Sequence, residues 1–496
     1  MRNKKIYTIL FSALLTLLFL PMFQEMFRPI KVKPLKGHTK PIECPKLTYN
    51  SYRDGKFQKD IEQYISENFG FRDPIIRLYN QYIWTCFRKT HIKFLVPGKE
   101  DWLYYFGAVK DYYGTEQHSR YKTTKDAKNY YDKNVKMMCE LRDILKTYDI
   151  EFLSFMAPSK VRVYPEYLPD WERDTTTINP IEYYSKALSE AGFPNIEMTS
   201  WFKTMKDTLG YPVFSQMDNH WQFTSVYAYD SLFRFMDSLK HFNIPRIKYG
   251  TPYPIEVKFQ DDEASLNLIF PVRNKNTEYK LDVEVVSDST SRKPRVLFVG
   301  DSFVWALTKF IPWEQLMDDV EIWFYNEDVY DGFNKTQYRK KEINILESML
   351  DVDFIVFYST GHQWYKATYG FVEEALEAFK DKDAIKVAQT INMIKEDQEW
   401  VDALKIQSTI QGKDLKDILI DEANNILNDD TLLRDLTSID DEQIFNAKVE
   451  ELVRNWRRNP EMVKYLKDKA KKKGSDFEVV IYQDARWVIR QEQNKK

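Results

Sequence analysis

The 496-residue chain has only three cysteines, Cys44, Cys86 and Cys139, and they lie far apart. That excludes a disulfide framework and a thiolate metal site, both of which need closely spaced sets. One disulfide in an oxidising compartment and free buried thiols both remain open. Charge of one sign is also lacking: 72 Lys and Arg stand against 75 Asp and Glu, a net of −3. With no basic stripe and no zinc spacing, nucleic acid is excluded as a partner. No pair of carboxylates stands out to flank a scissile glycosidic bond, which sets a glycosidase aside. The chain holds just six histidines, His38, His91, His118, His220, His241 and His362, so an imidazole site has few residues to draw on.

What is there describes a folded protein. Hydrophobic residues make up 43% and charged residues 30%, and the length allows two or three domains. Aromatics reach 15%, which serves core filling and also stacking against sugar rings. At the N-terminus, Arg2, Lys4 and Lys5 precede "IYTILFSALLTLLFLPMF", residues 6–23, without a charge. This is just long enough to cross a bilayer, and the basic flank should stay in the cytoplasm. A cleaved signal peptide is the competing reading, but no small-x-small cleavage site follows Phe23 and no lipobox cysteine is present. We therefore expect residues 1–27 to form a cytoplasmic tip and an uncleaved single-pass anchor in the cytoplasmic membrane. The rest of the chain is then periplasmic.

Residues 28–54 read as a stalk, with four prolines between 28 and 50. His38 belongs to it. From 55 to 379, apolar runs such as "IEFLSFMAP", "RVLFVGDSF", "VEIWFYN" and "VDFIVFYSTG" alternate with helical periods. That alternation predicts an α/β fold, a mostly parallel sheet flanked by helices. Ligands in such sheets sit at the carboxyl ends of strands, where Pro158, Asp301, Asn326 and Ser359 to Gly361 fall. Between 250 and 290, "YPIEVKFQ", "ASLNLIFPV" and "YKLDVEVV" read as a β insertion beside the site. The tail, 380–496, is helical and repeats at an offset of 62: Leu404 matches Leu466, Gly412 matches Gly474, Asp414 matches Asp476 and Ala423 matches Ala485. Each copy reads as a helical hairpin, suited to packing or to a partner.

Two motifs carry chemistry. In "VLFVGDSFVWAL", residues 296–307, an apolar strand runs into Gly300-Asp301-Ser302. The bland reading is a strand-to-helix turn capped by Asp301 or Ser302; the sharper one makes Ser302 a nucleophile. In "SQMDNHWQFT", Asp218 stands two residues before His220, close enough to orient its ring. Alone, that pattern is a turn with a surface histidine. Together the two motifs supply a nucleophile, a base and an orienter. Trp221 would wall the site, Thr224 would cap the next helix, and His362 falls on the rim or surface. No second His/Asp cluster at ligand spacing supports a metal.

"GDSF" with "DNHW" resembles the alginate O-acetyltransferase AlgJ/AlgX family, a branch of the SGNH hydrolase-like superfamily in which the histidine motif precedes the serine motif. "ENFGFRDPIIRLYNQYIW", "DWLYY" and "APSKVRVYPEYLP" are similar to further family segments, so the resemblance covers roughly residues 55–375. It implies Ser302 as nucleophile, His220 as general base and Asp218 as its orienter, with no cofactor. The backbone N–H of Ser302 would be one oxyanion donor, and the side chain of Asn326 is a match for the family's asparagine. The implied reaction is acetyl transfer to hydroxyls of an exopolysaccharide or cell-wall glycan, the acetyl arriving from a membrane-bound O-acyltransferase. Two alternatives keep part of this picture: a carbohydrate acetylesterase with the same triad, or a non-catalytic scaffold of a polysaccharide export complex. The family's second-block glycine has no clear counterpart, and neither the tail nor an appended carbohydrate-binding β-sandwich matches the family core.

Overall fold

A computed structural model describes residues 2–37, 42–273, 276–332, 336–428 and, in the tail, 449, 452–453, 456–457, 459–473, 477, 480–482, 484–486 and 488. His38 of the stalk and Gly474 and Asp476 of the repeat lie outside the described residues. The chain divides into two compact units, 1–380 and 381–496.

The first unit is built on strands β1 (Leu95–Pro97), β2 (Leu103–Tyr105), β3 (Glu151–Ala157), β4 (Asn195–Glu197), β5 (Arg246–Tyr249), β6 (Tyr253–Val257) and β7 (Asn276–Lys280). They continue with β8 (Val283–Val286), β9 (Arg295–Gly300), β10 (Asp319–Phe324), β11 (Asp328–Asp331), β12 (Thr336–Arg339) and β13 (Phe354–Thr360). Seven form the central sheet in the order β12-β11-β10-β9-β13-β3-β4. The run from β10 through β4 is parallel, and β11 and β12 extend it antiparallel.

Helices cover both faces of this sheet, which is why β9 and β13 read as unbroken apolar runs instead of alternating. On one face Phe155, Phe298 and Tyr358 join a core with Leu232, Phe233 and Met236 of helix Ser225–Lys240. On the other, Phe152 and Trp323 both meet the ring of Phe371, at 6.0 and 5.7 Å. β9 therefore sits in the middle of the sheet, buried on both sides, and delivers its last residue at a fixed point.

The β insertion is two antiparallel pairs, β5 with β8 and β6 with β7. The run 264–272, expected as a strand, is not one. A short helix, Asp261–Ser265, occupies its start because the fully buried Glu263 carboxylate accepts from the N–H of Gln260 and of Val272, curling the segment. β1, β2, β11 and β12 were not expected at all; each is three or four residues long, too short for a period to show.

At the N-terminus, Lys5–Phe27 is a helix long and apolar enough to cross a membrane, with mean hydropathy 2.2. The second unit is helical: Lys382–Glu396, Gln398–Gln411, Leu415–Asn428 and Pro460–Lys473. Gly412, at φ +63°, ends one helix of the first repeat copy. The paired positions Leu404 and Leu466, and Ala423 and Ala485, are buried in two separate apolar clusters. All three cysteines are unpaired, and Cys44 and Cys86 are exposed, not buried.

Candidate active site

The turn that presents Ser302 is set by Gly300. In register with Tyr358 of β13, a Cβ there would stand 2.9 Å from the Tyr358 carbonyl carbon and its Cβ, so only glycine lets the two strands stay paired to their ends. Asp301, 1% exposed, then stops the strand. One of its oxygens accepts from the N–H of Phe303 at 3.0 Å; the other accepts from the N–H and hydroxyl of Thr360, both at 2.7 Å. Burial raises its pKa against these donors. Asp301 shapes the turn and ties it to β13. Ser302, which opens a single 3-10 turn, keeps its hydroxyl free of capping and partly open to solvent.

The structure brings Ser302 and His220 together across 82 residues of sequence, with Asp218 beside the histidine. His220 Nε2 lies 2.9 Å from Ser302 Oγ. On the far side of the ring, Nδ1 is 3.6 Å from Asp218 Oδ1, an ionic contact longer than a hydrogen bond, which a small ring tilt would close. The same Asp218 oxygen accepts from the N–H of His220 at 3.1 Å, fixing the backbone between them. Asp218 Oδ2 accepts from the amide of Gln222. Asp218 is 1% exposed while the His220 side chain is 43% exposed, so the imidazole is open to solvent and the carboxylate is not. Burial pushes the Asp218 carboxyl up, but the His220 hydrogen bond and the charges of His220 and Lys160 outweigh it and leave the pKa low. For His220, burial acts to lower the pKa; Asp218, with Asp262 and Asp301 behind it, raises it above the usual value.

Two residues unforeseen from sequence complete the site. Lys160, 1% exposed, donates its three ammonium hydrogens to the carbonyls of Leu103, Gln216 and Asp218 at 2.8, 2.7 and 2.8 Å. It thereby pins the Asp218 loop to β2. Burial lowers its pKa, against the charges of Asp218 and Asp262. Three acceptors facing three donors hold it as the ammonium. Its only trace in sequence is a lysine two residues past the apolar run "FLSFMAP". The other is Tyr325, half-buried beside Ser302, whose side chain and backbone act to lower the tyrosine's pKa. Burial and Asp301 push its pKa up to about 12, so it stays a donor.

Asn326, expected to supply an oxyanion donor, is not brought to Ser302. The chain leaves β10 with left-handed φ at both Tyr325 (52°) and Asn326 (58°), so the two side chains diverge. The Asn326 amide donates to the Tyr369 carbonyl and Glu374, each at 3.3 Å, and its oxygen accepts from Lys340 at 2.5 Å. Trp221, expected to wall the site, is instead 1% exposed beneath it, donating Nε1 to the Phe303 carbonyl at 3.2 Å. Thr224 does not cap its helix; its hydroxyl donates to the Val213 carbonyl at 2.8 Å. His362 is neither rim nor surface but 5% exposed, against the Tyr105 ring at 5.1 Å. Burial drives its pKa down to about 3, so it is neutral. Its Nε2 accepts from Gln363 at 3.1 Å, which leaves Nδ1–H for Thr360 at 3.4 Å.

These residues fall on a known family. The family described as SGNH hydrolase-like domain, acetyltransferase AlgX, matches residues 95–312, a span that holds Asp218, His220 and Ser302. Among solved structures, the O-acetyltransferase domain of Pseudomonas putida AlgJ has 15% identity and a TM-score of 0.36, over 57% of this chain and 98% of that one. Pseudomonas aeruginosa AlgX has 13% identity and a TM-score of 0.35, over 56% of this chain and 66% of that one. Bacillus cereus PatB1 with a sulfonyl adduct has 13% and 0.34, over 49% and 93%. No curated protein sequence matches the chain. The likeness to the AlgX family is thus carried by residues 95–312.

Proposed function

We propose that the AlgX-type domain transfers acetyl groups through a Ser302 acyl-enzyme to hydroxyls of an exopolysaccharide or cell-wall glycan, outside the cytoplasm and anchored by residues 6–23. The observation that carries this is the 2.9 Å contact between His220 Nε2 and Ser302 Oγ at the carboxyl end of the central strand. Ser302 Oγ attacks the acyl carbonyl while His220 takes the hydroxyl proton, and Asp218 balances the imidazolium. That proton passes to the departing group, leaving the acetyl ester on Ser302. A sugar hydroxyl then attacks this ester, gives its proton to His220, and restores Ser302. The N–H of Ser302 would be one oxyanion donor, and Tyr325, held protonated near Ser302, would supply a second through its hydroxyl, in the role expected for Asn326. The acetyl donor would be a membrane-bound O-acyltransferase.

A chromogenic acetyl ester tests this, with mass spectrometry of the protein during turnover. A single acetyl on the peptide holding Ser302, absent from Ser302→Ala, is expected. Added sugar oligomers should divert acetyl from water to sugar. Hydrolysis with no diversion would make the protein an esterase, and no acyl adduct at all would leave a scaffold.

A further inference from the structure

Helix Arg72–Phe87 has an apolar stripe that faces water. Ile75, Leu78, Tyr79, Tyr82 and Cys86 recur at i, i+3, i+4, i+7 and i+11, one side of a helix. Leu78 is 62% and Tyr82 55% exposed, while the opposite side buries Trp84. Ile269 and Phe270 donate their backbone N–H groups to Gln81 Oε1, at 3.2 and 3.0 Å, which sets Phe270, 66% exposed, on the same surface. Apolar and aromatic side chains standing together in water mark an interaction surface.

What covers it follows from where the chain enters. The outer end of the apolar helix Arg2–Phe27 packs on the corner between helices Lys56–Asn68 and Arg72–Phe87. There a Cβ on Gly70 would lie 2.7 Å from Gln24 Cβ and 2.8 Å from Glu25 N. Pro21 and Gln24 bracket the limit of the uncharged run, so the corner and the helix beginning at it stand at the level where that run leaves hydrocarbon. The chain then folds back instead of rising away. Gln24 Nε2 donates to the Ile30 carbonyl at 2.7 Å, Arg77 Nη2 to the Pro34 carbonyl at 2.7 Å, and Lys36 N to Asn267 Oδ1 at 2.7 Å. Charge agrees: residues 28–36 and 72–93 together hold nine Lys and Arg against one acid, Asp73, in a chain of net −3. Aromatic and aliphatic bodies with cations around them are the composition of a helix lying in an anionic lipid interface.

We propose that the exposed face of helix Arg72–Phe87, with Phe270, lies in the headgroup layer of the bilayer, so that the catalytic unit is docked on anionic lipid and not lifted clear on a stalk. This rests on residues 6–23 being the membrane anchor. The test uses the full chain in vesicles of phosphatidylcholine and phosphatidylglycerol. Cys44→Ser and Cys139→Ser leave native Cys86 to carry a fluorophore, and a second sample carries it at Thr16→Cys with Cys86→Ser. We expect mid-chain spin-labelled lipid to quench the Thr16 probe and headgroup-labelled lipid to cut the Cys86 signal by about half, less so in phosphatidylcholine alone. Adding Leu78→Glu, on an exposed position, should return the Cys86 probe to water. A quenched Thr16 probe beside an unquenched Cys86 probe would overturn the proposal and leave the anchor standing. An unquenched Thr16 probe would remove the anchor, and the docking with it.

Discussion

The ammonium of Lys160 lies 2.8 Å from the backbone carbonyl of Asp218 and uses its other two hydrogens on strands and loops beyond it. A cation is thus buried beneath Asp218, the residue proposed to orient His220. It holds that loop by hydrogen bonds and helps to keep the Asp218 carboxyl ionised by charge.

Replacing this group should be costly. Lys160→Met leaves three buried carbonyls without donors, and the loss should be about 3 kcal/mol or more in urea unfolding. Lys160→Arg should not restore activity, because a planar fork does not place three hydrogens on three converging oxygens. Wild-type stability in Lys160→Met would show that the carbonyls find other partners.

For the reaction itself, Ser302→Ala should reduce acetyl-ester turnover about a thousandfold or more, with stability unchanged. Tyr325→Phe should lower kcat about tenfold to a hundredfold and leave KM nearly unchanged, the mark of a donor used in the transition state. A rise in KM alone would make Tyr325 a binding residue.

The pH profile should show the base. His220 must be neutral to accept a proton, and its pKa is held above the ordinary 6.5, so the acid limb of kcat/KM should lie above pH 6.5. Asp218→Asn removes the main source of that rise, and the limb should move to lower pH. A limb that stays in place would assign it to another group.

His362 gives a separate stability prediction. Its folded pKa of about 3 lies below the unfolded value near 6.5, so the unfolded chain binds a proton first as pH falls. Stability should be full above about pH 6.5 and decline toward pH 3, by on the order of 3–5 kcal/mol. His362→Gln should flatten that decline, measured by denaturant midpoints across the range.

Much of this was legible in sequence, for identifiable reasons. β9 and β13 are buried on both faces, so their apolar runs are unbroken, and the glycine that ends β9 is demanded by the neighbouring backbone. Asp218 and His220 are two residues apart and share one turn, so their partnership is local. What failed depended on direction. Tyr325 and Asn326 are adjacent, and only the left-handed backbone at both decides which one turns to Ser302. Lys160 was not singled out, because a lone lysine near an apolar run carries no sign of three carbonyls converging from distant segments. The stretch 264–272 is apolar enough for a strand, but one buried carboxylate, Glu263, curls it.

The Asp301 carboxylate, bonded at once to Phe303 N and to Thr360, has a consequence for how the enzyme would fail. The turn that presents Ser302 cannot loosen without parting the centre of the sheet, so no partial opening should displace Ser302 ahead of the fold. Heat inactivation and global melting should therefore coincide, and the Thr360 amide should exchange with solvent only as slowly as the whole unit comes apart.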